Sequence, residues 1–370
     1  MKAKKVISVI LQFLIFIFPF SALDYSPEGS IESLWAAGLP NAHDNAGKFL
    51  VGNITASGSL KVYGEESTAF VDGEVTSDAL KDKELSFKLR EAWADYDCGF
   101  WALRAGRQIN AWGKADGLQV ADILCPKDNS VLIASEYADS RLGIDAIRLS
   151  LKGENLVCDA YWIPISQVSK NAEASLEHSE AAVRLASYFP FADFSIYGFY
   201  GYDRQPLPIL SDSSKKIAMV GADTAIPVKE IVLRAEGAFF PERYSQKNQL
   251  VALAGFDWNS SLITITAQYY MDYLTGDLEN FGRKAYLHQA SLSLSKSFLQ
   301  ETLKFSFSGL LGLNDFDSML SFKGEYSITD QLCLTLGSDI FMKGPDKDKN
   351  GFYGAYQDFS SAYIKAEFKF

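Results

Sequence analysis

The feature that most restricts this chain is its alternation. From residue 58 onward, apolar and polar side chains change places at every second position in runs of about ten to twelve, and helical periodicity is nearly absent. In 263–273, Ile263, Ile265, Ala267, Tyr269, Met271 and Tyr273 form one face, and Thr264, Thr266, Gln268, Tyr270 and Asp272 the other. In 302–313, Leu303, Phe305, Phe307, Leu311 and Leu313 oppose Lys304, Ser306 and Ser308. Runs of this length suit tilted strands that cross a bilayer. Short turns near 97–99, 153–155, 190–191, 227–229, 259–260 and 329–330 alternate with longer polar stretches at 76–83, 113–139, 166–178, 205–214, 242–247, 275–283 and 344–358. Tight turns at one end and long loops at the other are the mark of a transmembrane antiparallel β-barrel. The expected fold is all-β, one barrel over 58–370 with about sixteen strands (range about fourteen to eighteen), the first of them at 58–75, a stretch that also reads as two short strands. Secreted β-sandwiches would also alternate, but they do not explain the one-sided loops.

The pattern continues to the last residue. Tyr363 to Phe370 reads YIKAEFKF, with Ile364, Ala366, Phe368 and Phe370 alternating with Lys365, Glu367 and Lys369. Chain ends usually fray, so a patterned end implies a partner. The last strand is expected to pair with the first and leave no open edge in lipid.

The beginning differs in kind. Lys2, Lys4 and Lys5 precede an apolar run from Val6 to Phe20 and the small residues Ser21 and Ala22. This reads as a secretory signal peptide over 1–22, the other reading being a retained anchor. Residues 23–57 then form a periplasmic lead-in or plug segment. A short helix is expected over 31–37, with Gly38 as its stop and Pro40 just beyond. Removing Lys2, Lys4 and Lys5 leaves 32 of the 35 basic residues against 46 acidic ones, a net charge near −14. An acidic exported chain is a poor partner for nucleic acid. Cys98, Cys125, Cys158 and Cys333 are scattered without CxxC spacing, so they suggest neither a metal site nor a redox motif; one or two disulfides or free thiols both fit.

One segment, 89–128, does more than alternate. If the Cys98–Gly99 turn joins two strands so that Arg90 faces Arg107 and Glu91 faces Gly106, both strands break phase at that level. Ser86, Lys88 and Arg90 share one face while Glu91, Trp93 and Asp95 lie on the other; Arg104, Gly106, Gln108 and Asn110 share a face that excludes Arg107. A charge in lipid costs on the order of 2–4 kcal/mol at mid-bilayer. Bulges in both strands are therefore expected to turn Arg90, Glu91, Arg104 and Arg107 inward. The cluster either neutralises itself and knits the wall or lines an anion-attracting constriction. The expected pore-lining set is Arg90, Glu91, Arg104, Arg107, Gln108, Asn110, Lys114 and Asp116. The longest loop, 113–139, carries Leu118, Val120, Ile123, Leu124, Val131, Leu132 and Ile133, which favours packing over disorder. It either folds into the lumen or caps the rim.

LREAWADY (89–96) followed by ALRAGRQINAWGKADGLQVADILCP (102–126) resembles the hallmark of largely uncharacterised Gram-negative outer-membrane barrels, porin-like and alginate-export-like in style. The resemblance covers about forty residues (it departs at Ala105, where a larger apolar residue is usual). It implies an outer-membrane location but no catalytic residues, substrate or cofactor. The terminal strand likewise resembles the signal read by the barrel-insertion machinery. His43, His178 and His288 are far apart, with no HExxH or GxSxG, so the chain is not expected to be an enzyme. His288, the natural base of a barrel hydrolase, falls on a lipid-facing aromatic face. The expected function is a porin-like channel for passive or substrate-selective passage of small solutes, anion-biased if the arginines set it. The alternative is a sealed structural or adhesive barrel.

Overall fold

The computed structural model describes residues 24–81, 84–115, 118, 120–128, 133–134, 140–166, 175–204, 215–244, 247–276, 278, 284–346 and 351–370. Among these, eighteen strands form one closed antiparallel sheet. In chain order they begin with β1 (Asp24–Gly38), β2 (Phe49–Tyr63), β3 (Ser67–Asp78), β4 (Glu84–Asp97), β5 (Trp101–Gln108) and β6 (Ile144–Lys152). Then come β7 (Leu156–Ile163), β8 (Glu180–Phe189), β9 (Ala192–Tyr202), β10 (Lys216–Val228), β11 (Ile231–Tyr244) and β12 (Lys247–Asn259). The ring is completed by β13 (Thr264–Leu274), β14 (Tyr286–Phe298), β15 (Leu303–Gly312), β16 (Asp317–Ser327), β17 (Leu332–Met342) and β18 (Ser361–Lys369).

Each strand pairs with its sequence neighbours, and β1 pairs with both β2 and β18. Ser30 faces Lys369 and Gly38 faces Ser361. Gly29 and Phe370 exchange both main-chain hydrogen bonds at 2.9 Å. The patterned carboxyl end thus has its partner, and the pairing of β1 with β18 closes the ring.

The barrel has eighteen strands rather than sixteen. The two extra strands come from 23–57, expected to be a lead-in with a helix over 31–37. Those residues lie in β1 and β2 instead. Glu32, Leu34 and Ala36 point to the lumen with Lys365 and Tyr363, while Ile31 and Trp35 share the outer face of Phe368 and Ile364. Gly38 ends β1 rather than a helix; a side chain there would collide with the Asn45 carbonyl in the turn that follows. The single strand expected at 58–75 is the end of β2 and the start of β3, joined by a turn at 64–66. Residues 1–22, expected to be a signal peptide, lie outside the described residues.

Alternation sorts the two faces. On β13, Tyr269 is 45% exposed outward while its neighbour Gln268 is 5% exposed inward. Phe87, Ile147, Val220, Phe305, Leu336 and Ile364 are likewise exposed on the outside, a surface that only lipid would cover. The connections at the end bearing both termini are tight, whereas 109–143, 164–179, 203–215, 275–285 and 343–360 at the other end are long. His288 points outward, bonded to the Tyr269 hydroxyl at 2.7 Å and stacked with Tyr286, in an aromatic patch near that end.

Candidate functional site: the constricted lumen

After Gln108 the chain leaves the wall and turns into the barrel. Trp112, Val120, Ala121, Ile123, Leu124 and Cys125 are buried against inward-facing residues of β6 to β12, among them Tyr161, Tyr197, Phe199, Met219 and Leu253. This apolar core inside the barrel anchors those loop residues in the lumen, not on the rim. Burial pushes the Cys125 thiol up to about 11, so it is an inert packing group there. No disulfide joins the four cysteines.

Buried carboxylates fasten the loop. Glu236 of β11 accepts the amides of Lys114 (2.6 Å) and Ala115 (2.8 Å) at Oε1, and those of Val120 (2.8 Å) and Ala121 (3.1 Å) at Oε2. Gly113 has φ +92°, and a Cβ there would sit 2.5 Å from Glu236 Oε1, so only glycine allows this approach. Asp122 accepts the Trp112 amide (3.1 Å) and Arg141 Nε (2.9 Å) and lies 3.7 Å from Lys127 Nζ. Burial holds the Lys127 ammonium down to about 8, against the pull of Asp122. Across the lumen, the Leu118 amide donates to Gln268 of β13 (3.1 Å) and the Ala134 amide to Asp339 of β17 (2.9 Å). Ile133 packs on Leu34, Ala36 and Tyr363. The loop is a bridge from one wall to the opposite one.

The residues expected from sequence are only partly brought together. A register shift in the β3–β4 pairing lies at Arg90, so Lys88 and Glu91 both face inward despite their spacing. Arg90 reaches Asp72 (3.5 Å) and Glu74 (3.9 Å). Glu91 accepts the Trp93 indole (3.1 Å) and the Ile109 amide (2.9 Å). Arg104 binds Asp95 (2.7 Å) and stacks over Trp93 (3.6 Å). Gln108 and Asn110 are buried beneath the loop, and Asn110 Oδ1 accepts Arg148 Nη1 (3.1 Å). Lys114 pairs with Asp193 (3.3 Å). Asp116 lies outside the described residues.

Two expectations need correction. The turn is longer than the expected one, so Arg107 faces Ala92 rather than Arg90, and Arg104 faces Asp95. Moreover, β5 pairs with β6 without a break from Trp101 to Gln108, so no bulge rotates Arg107 inward. It shares the outer face of Leu103 and Ala105 and binds Asp145 through Nε and Nη2, both at 2.9 Å. Near the membrane interface a lipid-facing charge costs only about 0–1 kcal/mol, which makes a bulge unnecessary. The inward cluster also has no surplus positive charge, since Asp72, Glu74, Glu91, Asp95 and Asp128 stand among Lys88, Arg90, Arg104 and Arg148. Sequence reasoning missed Glu236, Asp122, Gln268 and Asp339. Strand phase marks Glu236, Gln268 and Asp339 as inward, but nothing in the sequence names their partners on the loop.

Between Ala134 and the β13–β18 wall a cavity of about 510 Å³ remains. Ser293, Ser295, Ser306, Ser308, Lys304 and Lys323 are among its lining residues.

No family model and no curated protein matches the chain. Solved structures do match it in fold. The outer membrane protein opdK of Pseudomonas aeruginosa aligns with TM-score 0.60 at 10% identity, over 94% of this chain and 99% of that one. Acinetobacter baumannii OccAB3 aligns at 0.59 and 10%, over 94% and 99%. Pseudomonas aeruginosa OccK5 (OpdH) aligns at 0.58 and 10%, over 94% and 98%. At such identities the shared property is the barrel itself.

Proposed function

We propose that this protein is a porin-like channel of a bacterial outer membrane that lets small solutes pass through a constriction made by 109–143. The observation that carries the reading is the bridge itself, pinned to both walls by Glu236 and Asp339 while leaving a hydroxyl-lined cavity beside it. A barrel needs no such arrangement merely to stand in lipid. The location is supported by the lipid-suited outer face and by the likeness to an outer membrane protein. One opdK structure was determined with vanillate, a small organic solute in keeping with a cavity in the roughly 300–1,000 Å³ range of small-molecule sites. A cleaved signal peptide over 1–22 and insertion through the terminal strand belong to the same reading.

The arginines do not support an anion bias, because each inward one is matched by carboxylates. A weak preference for cations follows from the balance of the cluster. Conductance in planar bilayers tests the proposal. Steady single-channel currents from purified protein are expected, and silence would favour the sealed barrel.

A further inference from the structure

The apolar part of the loop packs on one side of the lumen, against β6 to β12, where inward side chains such as Tyr197 and Phe199 are large. On β14 and β15 the inward positions hold serines instead, and the cavity of about 510 Å³ lies over them. Ser293 faces Ser308 and Ser295 faces Ser306 across the two strands, a block of four hydroxyls. Serine is the smallest side chain that carries a hydroxyl, so this stretch of wall keeps both open space and hydrogen-bonding groups.

The hydroxyls around the block are already engaged. Thr266 Oγ1 donates to Asp257 (2.9 Å), Ser291 Oγ to Gln268 Oε1 (3.1 Å) and the Ser321 hydroxyl to Asp339. Among the described residues, the hydroxyls of Ser293, Ser295, Ser306 and Ser308 bond to no protein group, and Ser293 and Ser308 are exposed. A hydroxyl both donates and accepts, whereas a carboxylate only accepts and an ammonium only donates. The full complement of such a block is another set of hydroxyls.

The nearby charges favour neither sign. Lys304 stands opposite Glu325, Lys323 lies 3.4 Å from the same carboxylate, and Asp339 is a second anion on the lining. Among the described residues, two cations thus meet two carboxylates there, and a charged solute of either sign finds no surplus to pair with. Hydrocarbon supplies part of the remaining wall, from Ala134 of the loop, Leu310 of β15 and Met319 of β16. Hydroxyls and hydrocarbon together match a molecule with a hydroxyl rim and C–H faces.

We propose that this cavity binds a neutral polyhydroxylated solute of monosaccharide size, whose hydroxyls exchange hydrogen bonds with Ser293, Ser295, Ser306 and Ser308. This names a solute class for the channel proposed above, and the part the cavity plays in passage rests on that reading.

Calorimetric titration of the full-length barrel in detergent tests the binding, and planar bilayers test the passage. The probes are glucose, glucuronate and glucosamine, one frame in neutral, anionic and cationic form. Wild-type protein is expected to bind glucose more tightly than either charged sugar, and added glucose should interrupt the open-channel current. Ser293→Ala combined with Ser308→Ala removes two hydroxyls and keeps the space. It should weaken glucose binding about tenfold, the worth of two neutral hydrogen bonds. Ser297→Ala, on the same face of β14 but outside the cavity lining, should leave binding unchanged. Absence of glucose binding by wild type would overturn the inference. So would tighter binding of either charged sugar, or equal binding by wild type and the double variant. Glucose binding by a barrel that passes no current would leave the inference standing and remove the channel reading; a conducting barrel that ignores glucose would do the reverse.

Discussion

Gly113, at φ +92° where an L side chain is strained, lies against the carboxylate of Glu236, 2.5 Å from where a Cβ would stand, and that carboxylate receives four amides of the lumenal loop. A buried donor left without a partner costs about 1–3 kcal/mol. Glu236→Ala strips four at once, and Gly113→Ala pushes the loop away directly. Both should release the loop from β11 and raise single-channel conductance, whereas Glu236→Gln, which keeps one acceptor oxygen, should fall between. A folded Glu236→Ala barrel with unaltered conductance would show that the loop does not set the pore.

Ion selectivity separates the inward arginine from the outward one. Arg104→Ala leaves Asp95 with only the longer contact to Arg148 at 3.8 Å and should shift the reversal potential in a salt gradient toward stronger cation preference. Arg107→Ala, on the outer face, should leave it where it was. A shift with Arg107→Ala and none with Arg104→Ala would contradict the faces assigned to them.

Alternation showed β13 and β15 clearly because each has large apolar residues on one side and hydroxyls or charges on the other. It failed at β1, where Ser30, Ser33, Ala36 and Ala37 blur both faces and SIESLWAAG imitates a helical stripe. The bulge at Arg90 was visible as a break in phase. The position of Arg107 was not, because turn length sets the register and the neighbour that fixes its face, Asp145, is 38 residues away. The clasp at Glu236 was hidden for the same reason, since its partners lie more than a hundred residues earlier.

Lys127 makes loop docking depend on pH. Its ammonium titrates at about 8 when docked, against 10.5 for an unperturbed lysine. Below pH 8 both forms are charged and docking bears the full cost of desolvation. Between 8 and 10.5 the docked form sheds its proton first, so docking strengthens as pH rises. The fraction of time spent in the constricted, low-conductance level should grow across that window. Lys127→Met should flatten the response, and an equal response in that variant would remove Lys127 from the account.

The terminal residue can be dissected by two changes. Phe370→Ala keeps the main-chain exchange with Gly29 and loses only the ring, whereas deleting Phe370 loses both. Deletion should lower the yield of heat-modifiable folded barrel well below that of Phe370→Ala. Equal yields would mean that the ring, rather than the backbone pairing, matters at this junction.

The meeting of β1 with β18 imposes an order of events. The strand made first finds one of its two neighbours only when the last residues of the chain have been made and delivered, so every partial product is an open sheet with two raw borders. Sealing joins segments separated by nearly the whole polypeptide, the step with the largest loop to close. Any process that removes β1 or β18 therefore yields no smaller pore but a ribbon that cannot become a ring.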